Sequence, residues 1–547
     1  MQRRFPFGSA ESRWRRSWRV LSATLLLVLA PTIAHAASDH LKVGLAALAT
    51  SVDPHFHRAG YNFDLRENVS DALVYNNGVT GEIEPRLASS WAQTSETTVV
   101  LQLNPKAVFA TGNALGSDDV IYSLCRVRNV PNSPGLFTSF IKTIEAVTAL
   151  GDHEIEIETA APDPILLRNL SQIGIVENPT DRTLSFDKQT CGNNDWLKTT
   201  AINRGTIAPG IGPYWVEKFT PDVEIILTRN ESYYGPRPHY AKVTLKALPD
   251  NSARIAALLG GSVDVINQLP VNGADVLIDR GGFQIVTVPS TVLIFLLADQ
   301  YEEPSPKISG TGGKNPFKDK RVRRALNLAI DRLKLAEIVM GGFANPAHQI
   351  VVDGIQGFDP DIESYPFDVQ QARDLLAEAG YADGFKLTLS APSDRYVNGP
   401  LVAQAVVGML TKIGLDVELE TFPKSIYFSQ ASKYEYSLYL AGAAVDTGEG
   451  SSILLNIAGS RDLERGSGGA NRGRYSSAVF DGLISEALST LDDTEREALL
   501  KAASRTARDD ESHVPLYHEL GVWAVREGIY FEPNPNLRNI FYTARTQ

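Results

Sequence analysis

The chain has 547 residues, is 43% hydrophobic and 21% charged, and carries a net charge of -12. Ordinary glycine and proline usage excludes collagen-like and low-complexity architectures, and two cysteines are too few for a disulfide-built scaffold or a four-cysteine zinc site. The acidic balance disfavours nucleic acid as a partner, because nothing offsets phosphate repulsion, and the length predicts two to four domains.

The first 36 residues predict a cleaved signal peptide. Arg3, Arg4, Arg13, Arg15, Arg16 and Arg19 form a basic start, Leu21 to Ala30 is apolar, and Ala34-His35-Ala36 is a small-x-small cleavage site. The apolar run is too short to span a bilayer. No cysteine follows that could carry a lipid anchor. Trp14-Arg15-Arg16-Ser17-Trp18 has a twin-arginine flavour, so the export route stays open. Export to the periplasm favours pairing of the two cysteines, Cys125 in an apolar helical stretch and Cys191 in a polar turn.

In chain order, strands are predicted at 41–48, 99–103 and 155–159, with a helix capped by Ser117 and opened by Asp118 and Asp119. Strands follow at 223–228 and 242–248, then a helix from Ser252 to Gly260-Gly261 and a strand at 263–266. Residues 291–298 (TVLIFLLA) form a continuous apolar run of buried-strand length. Beyond the Pro/Gly-rich loop 302–315, helices are predicted at 319–331, 368–379 and 401–413, alternating with strands at 387–390 and 416–421. This interleaving predicts an α/β chain with largely parallel sheets.

Chemical motifs are sparse: no G-x-S-x-G elbow, H-E-x-x-H pair or phosphate loop occurs. Gly310-Thr311-Gly312-Gly313-Lys314 has neither phosphate-loop nor dinucleotide spacing and reads as a flexible loop. His55 and His57 could share a strand face, but no third ligand completes a metal site, so they read as polar loop histidines. His513 and His518 flank Pro515 and share no helix face. No catalytic group, metal or cofactor is expected.

Four ordered blocks carry a resemblance. The first is Asp71 to Arg126, with Pro85, Leu87, Ala88, Ser90 and Trp91 in an x-P-x-L-A-x-S-W pattern, and Asp119, Val120, Ser123 and Arg126 on the next helix. The second is Gly210-Ile211-Gly212-Pro213-Tyr214 with Arg229 to Gly235. The third is Val322 to Arg332, and the fourth Pro515-Leu516-Tyr517-His518. Together they resemble family 5 of the extracellular solute-binding proteins, which serve peptide, nickel and related ABC importers.

The resemblance implies an α/β, two-lobed periplasmic binding protein fold (type II, large peptide-binding subclass). Lobe I would comprise 38–288 and 516–547, with an inserted subdomain at 75–205, and lobe II 289–515. It further implies a monomer that captures a peptide or peptide-like zwitterionic solute between the lobes and delivers it to ABC permease subunits in the inner membrane. The same fold could take an opine, a sugar conjugate, haem or a nickel chelate. Readings of another class are a secreted hydrolase or a sensory partner of a membrane receptor.

Site residues follow from the same resemblance. Gly442 to Gly450 resembles a run whose aspartate holds a peptide ammonium, which places Asp446 there. Ala443 and Gly450 replace the Trp and Pro of that run, so aromatic area is lost. Asp394 to Asn398 resembles a segment whose arginine meets a dipeptide carboxylate, a task suited to the planar fork of Arg395, with Tyr396 as an aromatic wall. His57 and Tyr61, in the loop after the first strand, complete the expected ligand-binding set.

Overall fold

The computed structural model describes residues 39–180, 185–186, 191, 196–205, 210–445, 447–464 and 466–547. The expected leader and Asp446 lie outside the described residues.

The fold is organised by two long strands, Phe283–Ala298 and Val514–Arg526, at the centre of a 12-stranded sheet. They run antiparallel, paired from Phe283↔Arg526 to Pro289↔Leu520 and again from Leu293↔His518, with a further register shift between Ile294 and Phe295. Between Pro289 and Leu293 the register shifts, so residues 290–292 stand opposite Glu519 alone. The apolar run 291–298 is buried on both faces because strand side chains alternate. Ile294, Leu296 and Ala298 enter one core with Leu389, Val406 and Leu440, while Leu293, Phe295 and Leu297 enter another with Tyr427, Ile453 and Leu500. A third core joins Leu41, Val43 and Leu245 to Tyr122, Ile157 and, from the chain's other end, Trp523 and Phe541.

The strands are not largely parallel as predicted. His40–Leu45 is parallel to both its neighbours, and Lys386–Pro392 is parallel to Asp416–Phe422 and Leu438–Ala443. The two long strands are antiparallel to each other, Phe283–Ala298 is also antiparallel to Leu438–Ala443, and a separate four-stranded sheet containing Thr98–Leu103 and Glu154–Thr159 is antiparallel throughout. Alternating strands and helices fix neighbours by short crossovers, but two central strands crossing the molecule in opposite senses impose a mixed sheet.

The helix predicted from Ser117 spans Ser117–Arg126, but its cap is Gly116: the Asp119 carboxylate accepts the Gly116 N–H at 2.8 Å, and the Ser117 hydroxyl donates to the Gly151 carbonyl at 2.6 Å. Cys125, on its buried face, is joined to Cys191 with a Cα–Cα separation of 5.4 Å and a sequence separation of 66. Closing a loop of that length contributes roughly 4 kcal/mol in the chain-entropy model. The glycines of Gly210-Ile211-Gly212 are set by close backbone approach: a Cβ on Gly210 would lie 2.3 Å from the Val69 carbonyl oxygen, and one on Gly212 2.2 Å from the Val69 carbonyl carbon. Among the described residues no helix is long and apolar enough to cross a membrane.

Candidate functional site

The parallel strands Lys386–Pro392 and Leu438–Ala443 end side by side, and their C-terminal loops carry Asp394 to Val397 and the run after Gly442. Ligands in open α/β sheets gather outside such strand ends. Tyr396 leans over the neighbouring strand at a glycine: a Cβ on Gly442 would lie 2.7 Å from its Cε1 and 2.8 Å from Ile294 Cδ1. The Tyr396 hydroxyl is hydrogen bonded to the Gly442 backbone, and burial pushes it up to about 12.

Arg395 is exposed, with its guanidinium carbon 5.5 Å from the Tyr396 ring centroid. Its sequence neighbour Asp394 accepts the Lys424 N–H at 2.7 Å. The charge of Arg395 acts on Glu519, which stands on the second long strand where the ladder shifts register. Burial pushes the Glu519 carboxyl up to about 7, and Arg395 and the Val397 N–H pull it back only in part. Its Oε1 is buried without a hydrogen-bond partner among the described residues, as is the hydroxyl of Tyr517 two positions earlier.

The loop following Asp446 is tied across the molecule. Asn76 Nδ2 donates to the Thr447 carbonyl at 2.7 Å. Arg168 reaches the Thr447 and Gly448 carbonyls at 3.4 and 3.5 Å and the Gly81 carbonyl at 2.9 Å. Gly448 has φ +73°, and a Cβ there would lie 2.5 Å from Asn76 Nδ2. Glu449, fully buried, accepts from Arg496 at 2.6 Å and caps the helix Gly450–Ile457 through the Ser451 N–H at 2.9 Å.

His57 and Tyr61 are brought together: their rings meet edge-on at 6.1 Å, and His57 Nδ1 is 3.3 Å from Thr50 Oγ1. Both are half-buried, and burial lowers the His57 imidazole. No hydrogen bond, ion pair or ring contact joins this pair to Arg395 or Tyr396 among the described residues.

His55 is not the polar loop histidine the sequence predicts. It is fully buried beside an ion pair in which Arg126 grips Asp53 with both guanidinium arms, at 2.9 and 2.6 Å. Arg126 also lies 3.0 Å from His55 Nδ1, which must accept, so the proton sits on Nε2 and is donated to the Gly174 carbonyl at 2.6 Å. Burial, with the Arg126 charge, holds this imidazole down at about 4. A neutral histidine with both nitrogens engaged holds its loop in place. Among the described residues no group of three or more His, Cys, Asp or Glu is placed to hold a metal ion.

Sequence reasoning missed Glu519, Asn76 and Arg168. The only signal for Glu519 was its position directly after Pro515-Leu516-Tyr517-His518, a block that ends one residue short of it.

A family model described as bacterial extracellular solute-binding proteins, family 5 (middle) matches residues 82–464. Relatives include heme-binding protein A of Haemophilus influenzae (25% identical, 83% of each chain covered). Another is di/tripeptide-binding protein 2 of Pseudomonas aeruginosa (24%, covering 93% of this chain and 95% of the relative). Among solved structures, the Helicobacter pylori periplasmic binding protein DppA in complex with the peptide STSA superposes with a TM-score of 0.73 at 23% identity, covering 93% and 98% of the two chains. NikA of Staphylococcus aureus in complex with Ni(L-His)2 superposes with 0.71 at 19%, covering 93% and 100%. These likenesses show a type II periplasmic binding protein fold, and the match over most of its length shows that the chain belongs to family 5 of the bacterial extracellular solute-binding proteins.

Proposed function

We propose that this protein is the periplasmic solute-binding component of an ABC importer, and that it captures a peptide or peptide-like zwitterion between two lobes for delivery to the membrane permease. The separate apolar cores on either side of the register shift support the two lobes, with crossovers at Pro289–Leu293 and His518–Leu520. The hydrogen bonds from Asn76 and Arg168 to Thr447 and Gly448 support closure of the first lobe onto the loop that carries Asp446. Closure of this kind is a hinge motion absorbed by a few crossover residues.

The observation that carries the reading is the exposed Arg395 guanidinium beside the Tyr396 ring, at the strand ends where the crossovers meet. A planar fork on an aromatic wall suits a ligand carboxylate. Asp446 would hold the ammonium at the other end of the zwitterion, and His57 with Tyr61 would face it from the first lobe. The protein would act by binding, as an exported monomer, without chemical turnover. Native mass spectrometry of protein purified from the periplasm tests this. A co-purifying peptide or peptide-like zwitterion is expected, and a haem, a nickel chelate or an opine would redirect the ligand assignment. Turnover of any candidate solute would overturn the receptor reading.

A further inference from the structure

Glu519 is half-buried with one carboxylate oxygen fully shielded, and it differs from the buried carboxylates Asp53, Glu449 and Glu511. Asp53 is gripped by Arg126 and accepts from Thr199 at 2.6 Å. Glu449 meets Arg496 and Ser451, and Glu511 meets Arg324, Asn327 and Tyr365. Each has a cation and a second donor from the protein itself. Among the described residues, Glu519 is the one acid with a buried oxygen that has no hydrogen-bond partner. The Val397 N–H is hydrogen bonded to its carboxylate, while Oε1 is left over.

A second orphan lies beside it. Tyr517 is two residues earlier on the same strand, so its side chain leaves on the same side. It is fully buried, and its hydroxyl also lacks a partner. The two sit where the central ladder opens, with residues 290–292 bulged opposite Glu519, and next to the Arg395 and Tyr396 segment. A carboxylate sequestered from water is costly unless a cation and hydrogen bonds compensate it. Among the described residues no cation lies within ion-pairing distance of it, and Arg395 acts on it through its field. An ammonium would satisfy both orphans at once, donating to Glu519 Oε1 and to the Tyr517 oxygen, with the Tyr396 ring face nearby.

We propose that Glu519 and the Tyr517 hydroxyl form a second charge anchor in the cleft, one that takes the ammonium of a basic side chain, so that the solute is a cationic peptide-like compound. The inference rests on the peptide-like reading above, deepening it from zwitterion to basic zwitterion. The tendency of the Glu519 carboxyl to hold its proton near neutrality agrees, because a bound cation would favour the ionised form.

The test is calorimetric titration of the exported protein at pH 7.5 with Ala-Lys and with Ala-norleucine, which has the same alkyl stem without the charge. The parent protein is expected to bind Ala-Lys at least tenfold more tightly. Glu519→Gln, which keeps the shape and an acceptor for the Val397 N–H, should abolish that preference while changing Ala-norleucine affinity less than threefold. Equal binding of the two dipeptides by the parent, or a preference that survives in Glu519→Gln, overturns the anchor and leaves the peptide reading standing. Binding of neither dipeptide overturns the peptide reading instead. The anchor then survives only if the solute found by native mass spectrometry carries a cationic group and binds Glu519→Gln at least tenfold more weakly. A solute without such a group, or no solute, overturns it.

Discussion

Replacing Asp53 by Asn should cost the fold about 3–5 kcal/mol, the range for breaking a buried ion pair by removing one partner. Asp53 and Arg126 side chains are 0% and 1% exposed, and the guanidinium spends its remaining donors on the Leu197 carbonyl at 3.2 and 2.7 Å and on His55. Asn keeps the shape but leaves Arg126 charged among neutral acceptors. Arg126→Met leaves Asp53 with the Thr199 hydroxyl and should cost a similar amount. The double variant should be at least 2 kcal/mol more stable than the sum of the single losses predicts, because neither charge is then stranded. Urea denaturation with the disulfide intact, followed by fluorescence of Trp196, which packs 5.3 Å from Tyr122 on the Arg126 helix, reports the loss. The same cluster has a pH signature. The folded-state imidazole of His55 is held at about 4 against 6.5 unfolded, so the stability it contributes is complete above pH 6.5 and is lost as pH falls toward 4. Single losses below 1 kcal/mol, or additivity within about 0.5 kcal/mol, would refute the claim that this pair is desolvated and mutually dependent.

Glu519→Gln should raise the melting temperature at pH 8 and leave it unchanged at pH 4. The folded-state carboxyl lies near 7, above its unfolded value, so its ionisation penalises the folded state at high pH and the penalty fades as pH falls through 7 toward 4.5. Equal effects at the two pH values would contradict the burial of this group. Gly212→Ala should destabilise by more than about 2 kcal/mol in the same denaturation assay, since its Cβ would lie inside the Val69 backbone; wild-type stability would show that the segment can shift. Arg168→Ala, which removes a charged donor from the Thr447 and Gly448 carbonyls, should weaken ligand binding roughly tenfold by loosening closure, with small-angle scattering showing a more open ligand-bound form. An unchanged affinity would rule the contact out as a latch.

The sequence made some of this legible and hid the rest for definable reasons. The run 291–298 announced a strand buried on both faces, because apolar side chains at consecutive positions have no other use at that length. It could not announce that its partner strand runs antiparallel, since that partner lies more than 200 residues away. The Gly210-Ile211-Gly212 motif was visible, while its reason, contact with the Val69 backbone, was not. His55 was misjudged because its partners Arg126 and Gly174 are distant in the chain and only the fold brings them to it. Arg395 and Tyr396 were nameable because a local segment carries them. Glu519 was not, because a single glutamate after an apolar strand looks solvated until the crossover encloses it.

The most direct test of the receptor account is calorimetric titration of Asp446→Asn and Arg395→Lys with the solute identified by native mass spectrometry. If the two residues grip opposite ends of a zwitterion, each variant should bind more than tenfold more weakly while melting at the temperature of the parent. Truncating one partner of a buried, hydrogen-bonded charge pair costs about 2–5 kcal/mol, and an ammonium cannot reproduce the planar fork of Arg395. Parental affinity in both variants would contradict the account and remove these two residues from the ligand site.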